Sequence, residues 1–212
     1  MPYGAWGVAL AKVTGLSAHP PTTAAATIAA NACRSTAASI QRPCRYRIAD
    51  VDLPPHVPED ARRSLERAYS AHMDGRLEEA IELYQESISL SPTAEAHTFL
   101  GWVYSMQRRW DEAIAECHRA IAVDPEFGNP YNDIGAYLIE LGRLDEAIPW
   151  LERAKQAVRY EPRHYPHINL SRIHVIQNDI PSAVRELRSA VDIDPGHTSA
   201  RRELHRLLGM LN

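Results

Sequence analysis

Residues 1–49 contain no aspartate or glutamate. They carry Lys12, Arg34, Arg42, Arg45 and Arg47, so the stretch is +5. The remaining residues hold 18 basic and 27 acidic side chains, a charge of -9. An acidic body lacks the clustered Lys and Arg that phosphate neutralisation requires, which excludes nucleic acid as the main ligand. Long apolar runs are missing too. No stretch reaches the length of about 18 apolar residues that a membrane-crossing helix needs. Cysteine is scarce: Cys33, Cys44 and Cys117 form an odd set that excludes a disulfide framework. This usage fits a reducing compartment, and the expected location is cytoplasmic.

The first 58 residues differ from all that follows. Pro20-Pro21, Pro43, Pro54-Pro55 and Pro58 interrupt any long helix, and Ala, Thr and Ser fill the intervals. Residues 1–58 are expected to be a disordered extension, with at most a transient helix near 22–40. Three readings stand side by side. One is a tail or an upstream extension. Another is an organelle transit peptide, for which the missing acids and scattered Arg, Ser and Thr speak. The third is an export signal, with Ala30-Asn31-Ala32 ahead of Cys33 as a cleavage-like site. Against that third reading, His19-Pro20-Pro21 interrupts the apolar region and no basic leader precedes it.

From residue 59 the chain repeats itself. Ser87-Ile88-Ser89-Leu90-Ser91-Pro92 returns as Ala120-Ile121-Ala122-Val123-Asp124-Pro125, as Ala154-Lys155-Gln156-Ala157-Val158 running to Pro162, and as Ala190-Val191-Asp192-Ile193-Asp194-Pro195. The prolines are 33, 37 and 33 residues apart. Upstream of each stands a second phrase: Leu77-Glu78-Glu79-Ala80-Ile81, Trp110-Asp111-Glu112-Ala113-Ile114, Leu144-Asp145-Glu146-Ala147-Ile148, Ile180-Pro181-Ser182-Ala183-Val184. Small residues at one place in each helix let two helices approach closely, while large apolar residues at i, i+3, i+4 and i+7 fill the surrounding seam. One such hairpin cannot bury its apolar face alone, so the units must stack.

The pattern resembles the tetratricopeptide repeat, a helix–turn–helix of about 34 residues. The second unit matches best, with Leu100-Gly101, Tyr104, Ala113, Cys117, Ala120 and Pro125. The resemblance implies an all-α fold, a right-handed α-solenoid of four units near 61–92, 94–125, 128–162 and 164–195. Residues 59–212 are expected to form this repeat domain. Within 197–212, Ala200, Leu204, Leu207, Leu208 and Leu211 share one face, as a capping helix requires. Nine helices are predicted, near 59–74, 77–91, 94–107, 110–123, 128–141, 144–159, 164–177, 180–193 and 197–210. The extra residues before Pro162 are expected to lengthen the sixth helix or its following turn.

Nothing in the repeats reads as chemistry. His164 and His167 are three apart and His174 seven further on, but His167 and His174 occupy packing slots that hold Tyr131, Leu138 and Tyr104 elsewhere, so packing explains them better than a metal. The pairs Glu78-Glu79, Asp111-Glu112 and Asp145-Glu146 sit in first helical turns, where they favour the macrodipole. Carboxylates at repeat-equivalent surface positions do not converge for acid–base catalysis. Cys117 occupies a slot held by Tyr84, Leu151 and Leu187 and reads as a core thiol. No catalytic residue, cofactor or metal is expected.

The stripe beside the packing seam of each first helix is the candidate site, and the resemblance places it on the concave surface. It holds Arg62, Leu65, Tyr69 and Met73, then Glu95, Thr98, Trp102 and Met106. Asn129, Asn132, Ala136 and Glu140 follow, then Tyr165, Asn169, Arg172 and Ile176. Solvent-facing aromatic and methionine side chains are typical of interfaces. Asn132 and Asn169 have the chemistry to bond an extended backbone. The competing reading is that Tyr69 and Trp102 pack between neighbouring helices. The places from which some family members clamp a chaperone's terminal carboxylate with basic and amide residues hold Leu65 and Tyr69, Phe99, and Asn129 with Asp133 here, so that activity is not expected. The expected function is a non-catalytic, monomeric scaffold binding a peptide or helix of a partner protein. The alternatives are a docking subunit of an enzyme system and a self-assembling structural protein.

Overall fold

The computed structural model describes residues 53–211. The extension, its three readings, Cys33 and Cys44 lie outside the described residues, apart from the last few positions before residue 59.

Nine helices follow one another among the described residues: α1 Glu59–Met73, α2 Leu77–Leu90, α3 Ala94–Met106, α4 Trp110–Val123, α5 Asn129–Glu140, α6 Leu144–Gln156, α7 His164–Ile176, α8 Ile180–Ile193 and α9 Thr198–Met210. Local chemistry sets several of the starts. The Thr93 hydroxyl accepts from the Ala96 amide at 3.1 Å, and Asp179 accepts from the Ser182 amide at 3.1 Å, each satisfying an orphan donor of a first turn. Pro130 and Pro181 stand where a missing N–H costs nothing. The four turns inside the hairpins share one left-handed residue: Gly75 at φ 77°, Arg108 at 61°, Gly142 at 74° and Asn178 at 60°. Arg76, Arg109 and Arg143 then each bond the glutamate three residues on, Glu79, Glu112 and Glu146.

Packing follows the repeat. Ala80, Ala113, Ala147 and Ala183 are all fully buried, and so are Tyr84, Cys117 and Leu151. A β-carbon at Gly101 would lie 3.1 Å from the Ala113 carbonyl oxygen, and one at Gly135 would lie 2.5 Å from the Leu151 side chain. The helices of a pair therefore touch almost backbone to backbone. The pairs α1–α2, α3–α4, α5–α6 and α7–α8 stack into a solenoid whose core runs unbroken from Leu65 to Ile173. First helices of successive units touch one another more closely than second helices do. The array thus curves with α1, α3, α5 and α7 on its inner side. The last helix lays Ala200 and Leu207 on Val184 and Leu187 of α8, with Leu204 and Leu208 half-buried beside them. Leu211 departs from the expected face: it lies beyond the helix end and is exposed.

The sixth helix stops at Gln156 rather than near 159. The extra residues form the following turn, which runs beside the α4–α5 loop. The Gly128 amide donates to the Arg159 carbonyl and the Arg159 amide to the Glu126 carbonyl, both at 3.0 Å. Gly128 is what permits this: a β-carbon there would stand 2.4 Å from Cβ of buried Tyr160. The Arg159 guanidinium bonds both Asp124 and the buried Glu95, tying the third unit to the second.

Gly101→Leu should overpack the α3–α4 contact and lower unfolding free energy by about 1–3 kcal/mol, read by urea denaturation. Removing residues 197–212 uncovers Val184 and Leu187. Because each unit is stabilised by its neighbour, hydrogen exchange across 164–195 should accelerate well before that across 59–125.

Candidate functional site

The inner stripe is more buried than a solvent-facing row. Leu65, Tyr69, Thr98, Asn129 and Asn169 are buried, which corrects the expectation that they face water. The cause is the close stacking of first helices, which turns the upper part of each stripe into the seam between units. Leu65 and Tyr69 join the core beside Phe99. Thr98 donates to the carbonyl of Ala94 in its own helix at 2.7 Å. Trp102, Asn132, Tyr165 and Arg172 are half-buried. Met73, Met106 and Ile176 stand well exposed, at 41%, 45% and 40%.

Trp102 belongs to both readings at once. Its ring packs on Phe99 at 5.6 Å between centroids and against His72 at 6.5 Å, while part of it stays open to solvent. Its indole N–H donates to Oδ2 of Asp133 on the next first helix, at 2.6 Å. A polar chain runs on from there. The Asn132 amide donates to Oδ1 of Asp133 at 3.3 Å, and the Asn169 amide donates to Oδ1 of Asn132 at 3.0 Å. Arg172 donates to Oδ1 of Asn169 at 3.3 Å and to Oε1 of Glu140 at 2.7 Å. The asparagines expected to bond a ligand backbone are thus already engaged with each other, holding α5 against α7. Tyr165 packs its ring against His164 and His197.

Three participants were missed in the sequence reading of this site. Asp133 sits two residues before Gly135, as Asn169 sits two before Ser171 and Phe99 two before Gly101. Counting from the small residue therefore puts Asp133, rather than Asn132, in register with Asn169. His72 is buried and lies between the Tyr84 hydroxyl, at 3.4 Å, and the Met106 sulfur, at 3.1 Å. Burial lowers its pKa to about 4, so it is neutral near pH 7. Ser105 lies behind Trp102, bonded to its carbonyl at 2.8 Å. Two other histidines are engaged with carboxylates: His97 with buried Glu116 and His167 with Glu186, each at 2.7 Å. Among the described residues no three His, Cys, Asp or Glu side chains are grouped to hold a metal. Cys117 is a buried free thiol whose pKa burial raises.

Asp133 is the electrostatic centre of the stripe. It is 8% exposed, and burial pushes its pKa up to about 7 although the Trp102 and Asn132 bonds pull it down. A carboxyl whose pKa is higher in the folded than in the unfolded chain binds its proton more tightly when folded. Its contribution to stability is complete below the unfolded value near 3.8 and is lost as pH rises through about 7. The parent should therefore lose thermal stability relative to Asp133→Asn between about pH 4 and pH 7, read as the difference of the two melting curves across that range.

Comparison with known proteins places these repeats. Family models described as tetratricopeptide repeat match residues 47–95, 94–127 and 131–158, together more than half of the chain. The protein O-mannosyl-transferase Tmtc1 of Drosophila melanogaster is 34% identical over 101 residues, which is 44% of this chain and 12% of that protein. The chain thus spans about an eighth of that curated relative. The Pseudomonas aeruginosa PilF structure superposes with a TM-score of 0.67 at 22% identity, covering 72% of this chain and 69% of PilF. YrrB, described as a repeat protein with an unusual peptide-binding site, gives 0.54 at 22% identity over 72% of this chain and 78% of its own. Among the described residues no helix is long and apolar enough to cross a membrane. With four stacked hairpins in one register and family models matching the first three, the chain belongs to the tetratricopeptide-repeat family.

Proposed function

We propose that this protein is a non-catalytic, monomeric scaffold whose inner surface receives a peptide or helix from a partner protein. The observation that carries the reading is Trp102: a half-buried indole held on the inner face by Asp133, with the exposed Met106 one turn along the same helix. A large aromatic fixed in orientation loses little entropy on binding and anchors an interface. The peptide-binding site described for YrrB, on the same fold, agrees with this use of the repeats. The carboxyl-clamp residues are not in their places, so the ligand is not a chaperone's terminal carboxylate. A second reading comes from Tmtc1, in which similar repeats belong to a transferase. There the array would dock a substrate or a catalytic partner for an enzyme system, and the captured partner itself distinguishes the two.

Binding energy should concentrate at Trp102. After partner capture and mass spectrometry, Trp102→Ala should weaken the identified complex by about 2 kcal/mol, roughly 30-fold. Its own unfolding free energy should fall by less than the ~3–5 kcal/mol expected for a fully buried tryptophan. A variant that melts early, or one that binds as the parent does, would remove Trp102 from the interface.

A further inference from the structure

We propose that the partner segment is basic, and that one of its arginine or lysine side chains lies across the Trp102 ring with its charge against the Asp133 carboxylate. This rests on the inner-surface reading given above. Both donors that Asp133 receives from the fold, the Trp102 indole and the Asn132 amide, are neutral. Among the described residues no cation stands within ion-pair distance of it. The arginines bonded along this stripe are committed elsewhere. Arg172 pairs with Glu140, and Arg159 pairs with Glu95 and Asp124. Arg62 donates to the carbonyls of Leu53, Pro54 and Val57 at the entrance to α1.

A nearly buried carboxylate whose donors Trp102 and Asn132 are both neutral is costly to ionise, and burial raises its pKa accordingly. A cation delivered by a ligand removes the cost, and that gain is present only in the complex. The neighbouring aromatic face adds the second half of a cation receptor, because the ring quadrupole attracts a guanidinium or ammonium placed over it. Arginine fits better than lysine, since its plane stacks on the indole while its fork reaches the carboxylate. Exposed Glu66 occupies the register of Asp133 in the first unit, extending the negative character along the row. The acidic charge of the chain beyond residue 49, -9, draws a basic ligand in and repels an acidic one.

The test starts from the full chain and a phage-displayed random-peptide library. Selected peptides should share an arginine or lysine at one register. The strongest is then synthesised with a fluorescent label, together with a version carrying neutral citrulline at that position. By fluorescence anisotropy, citrulline should weaken binding to the parent protein by about 30-fold or more. The same exchange should cost little against Asp133→Asn, because the two changes remove one shared interaction. Should Asp133→Asn not fold, Trp102→Phe takes its place. Its ring lacks the N–H and has a weaker quadrupole, so the citrulline effect should shrink there too. Selection of neutral or acidic peptides, or a citrulline peptide that binds as well as its arginine parent, overturns the basic partner and leaves the groove reading standing. A citrulline effect undiminished by both protein variants assigns the cation to other residues and overturns the role of Asp133. Failure to select any peptide, or peptides that bind Trp102→Ala undiminished, overturns the groove reading and this inference with it.

Discussion

Backbone-close contact between the two helices of each hairpin sets everything else in this molecule. Gly101 against the Ala113 carbonyl, and Gly135 against Leu151, allow an approach that a larger residue at either place would crowd. The fully buried alanines Ala80, Ala113, Ala147 and Ala183 repeat the contact from the facing helix. With the backbones that near, large side chains are displaced to the flanks of the contact, where Tyr84, Cys117, Leu151 and Leu187 fill one seam after another. The hairpin is then rigid but half-covered, and only stacking completes its core.

Stacking has a consequence for the inner surface. The first helices come close enough to bury much of the row that a looser array would leave open. What stays accessible is narrow: two methionines, Ile176, and parts of an indole, Asn132, Arg172 and Glu140, over the buried Asp133 and Asn169 that complete their polar chain. That chain crosses from α3 through α5 to α7, so it fixes the relative position of three units. A surface built this way is preorganised, and a ligand meets side chains whose rotamers are already held by one another.

Electrostatics runs in a consistent direction through the structure. Hairpin turns neutralise themselves locally, through Arg76, Arg109 and Arg143 with their glutamates. Buried Glu95 and Glu116 have cationic or imidazole partners. Among the described residues, Asp133 alone of the buried carboxylates has only neutral donors. That contrast separates a carboxylate serving the fold from one whose countercharge is left to a ligand.

The number of helices, their order and most of their limits were legible along the chain, because helix formation and hairpin packing depend on residues near one another: a proline, a turn residue with positive φ, an alanine at a fixed distance. The capping face around Leu207 could be read for the same reason. The end of the sixth helix could not, since it depends on Gly128 and Arg159, which meet only when two loops lie side by side. The inner stripe was located by phase, but its exposure was not, because burial there is set by how closely one unit approaches the next. Trp102 shows the division best. Its place on the inner face follows from the repeat, whereas its bond to Asp133, 31 residues away, exists only because α3 and α5 stack.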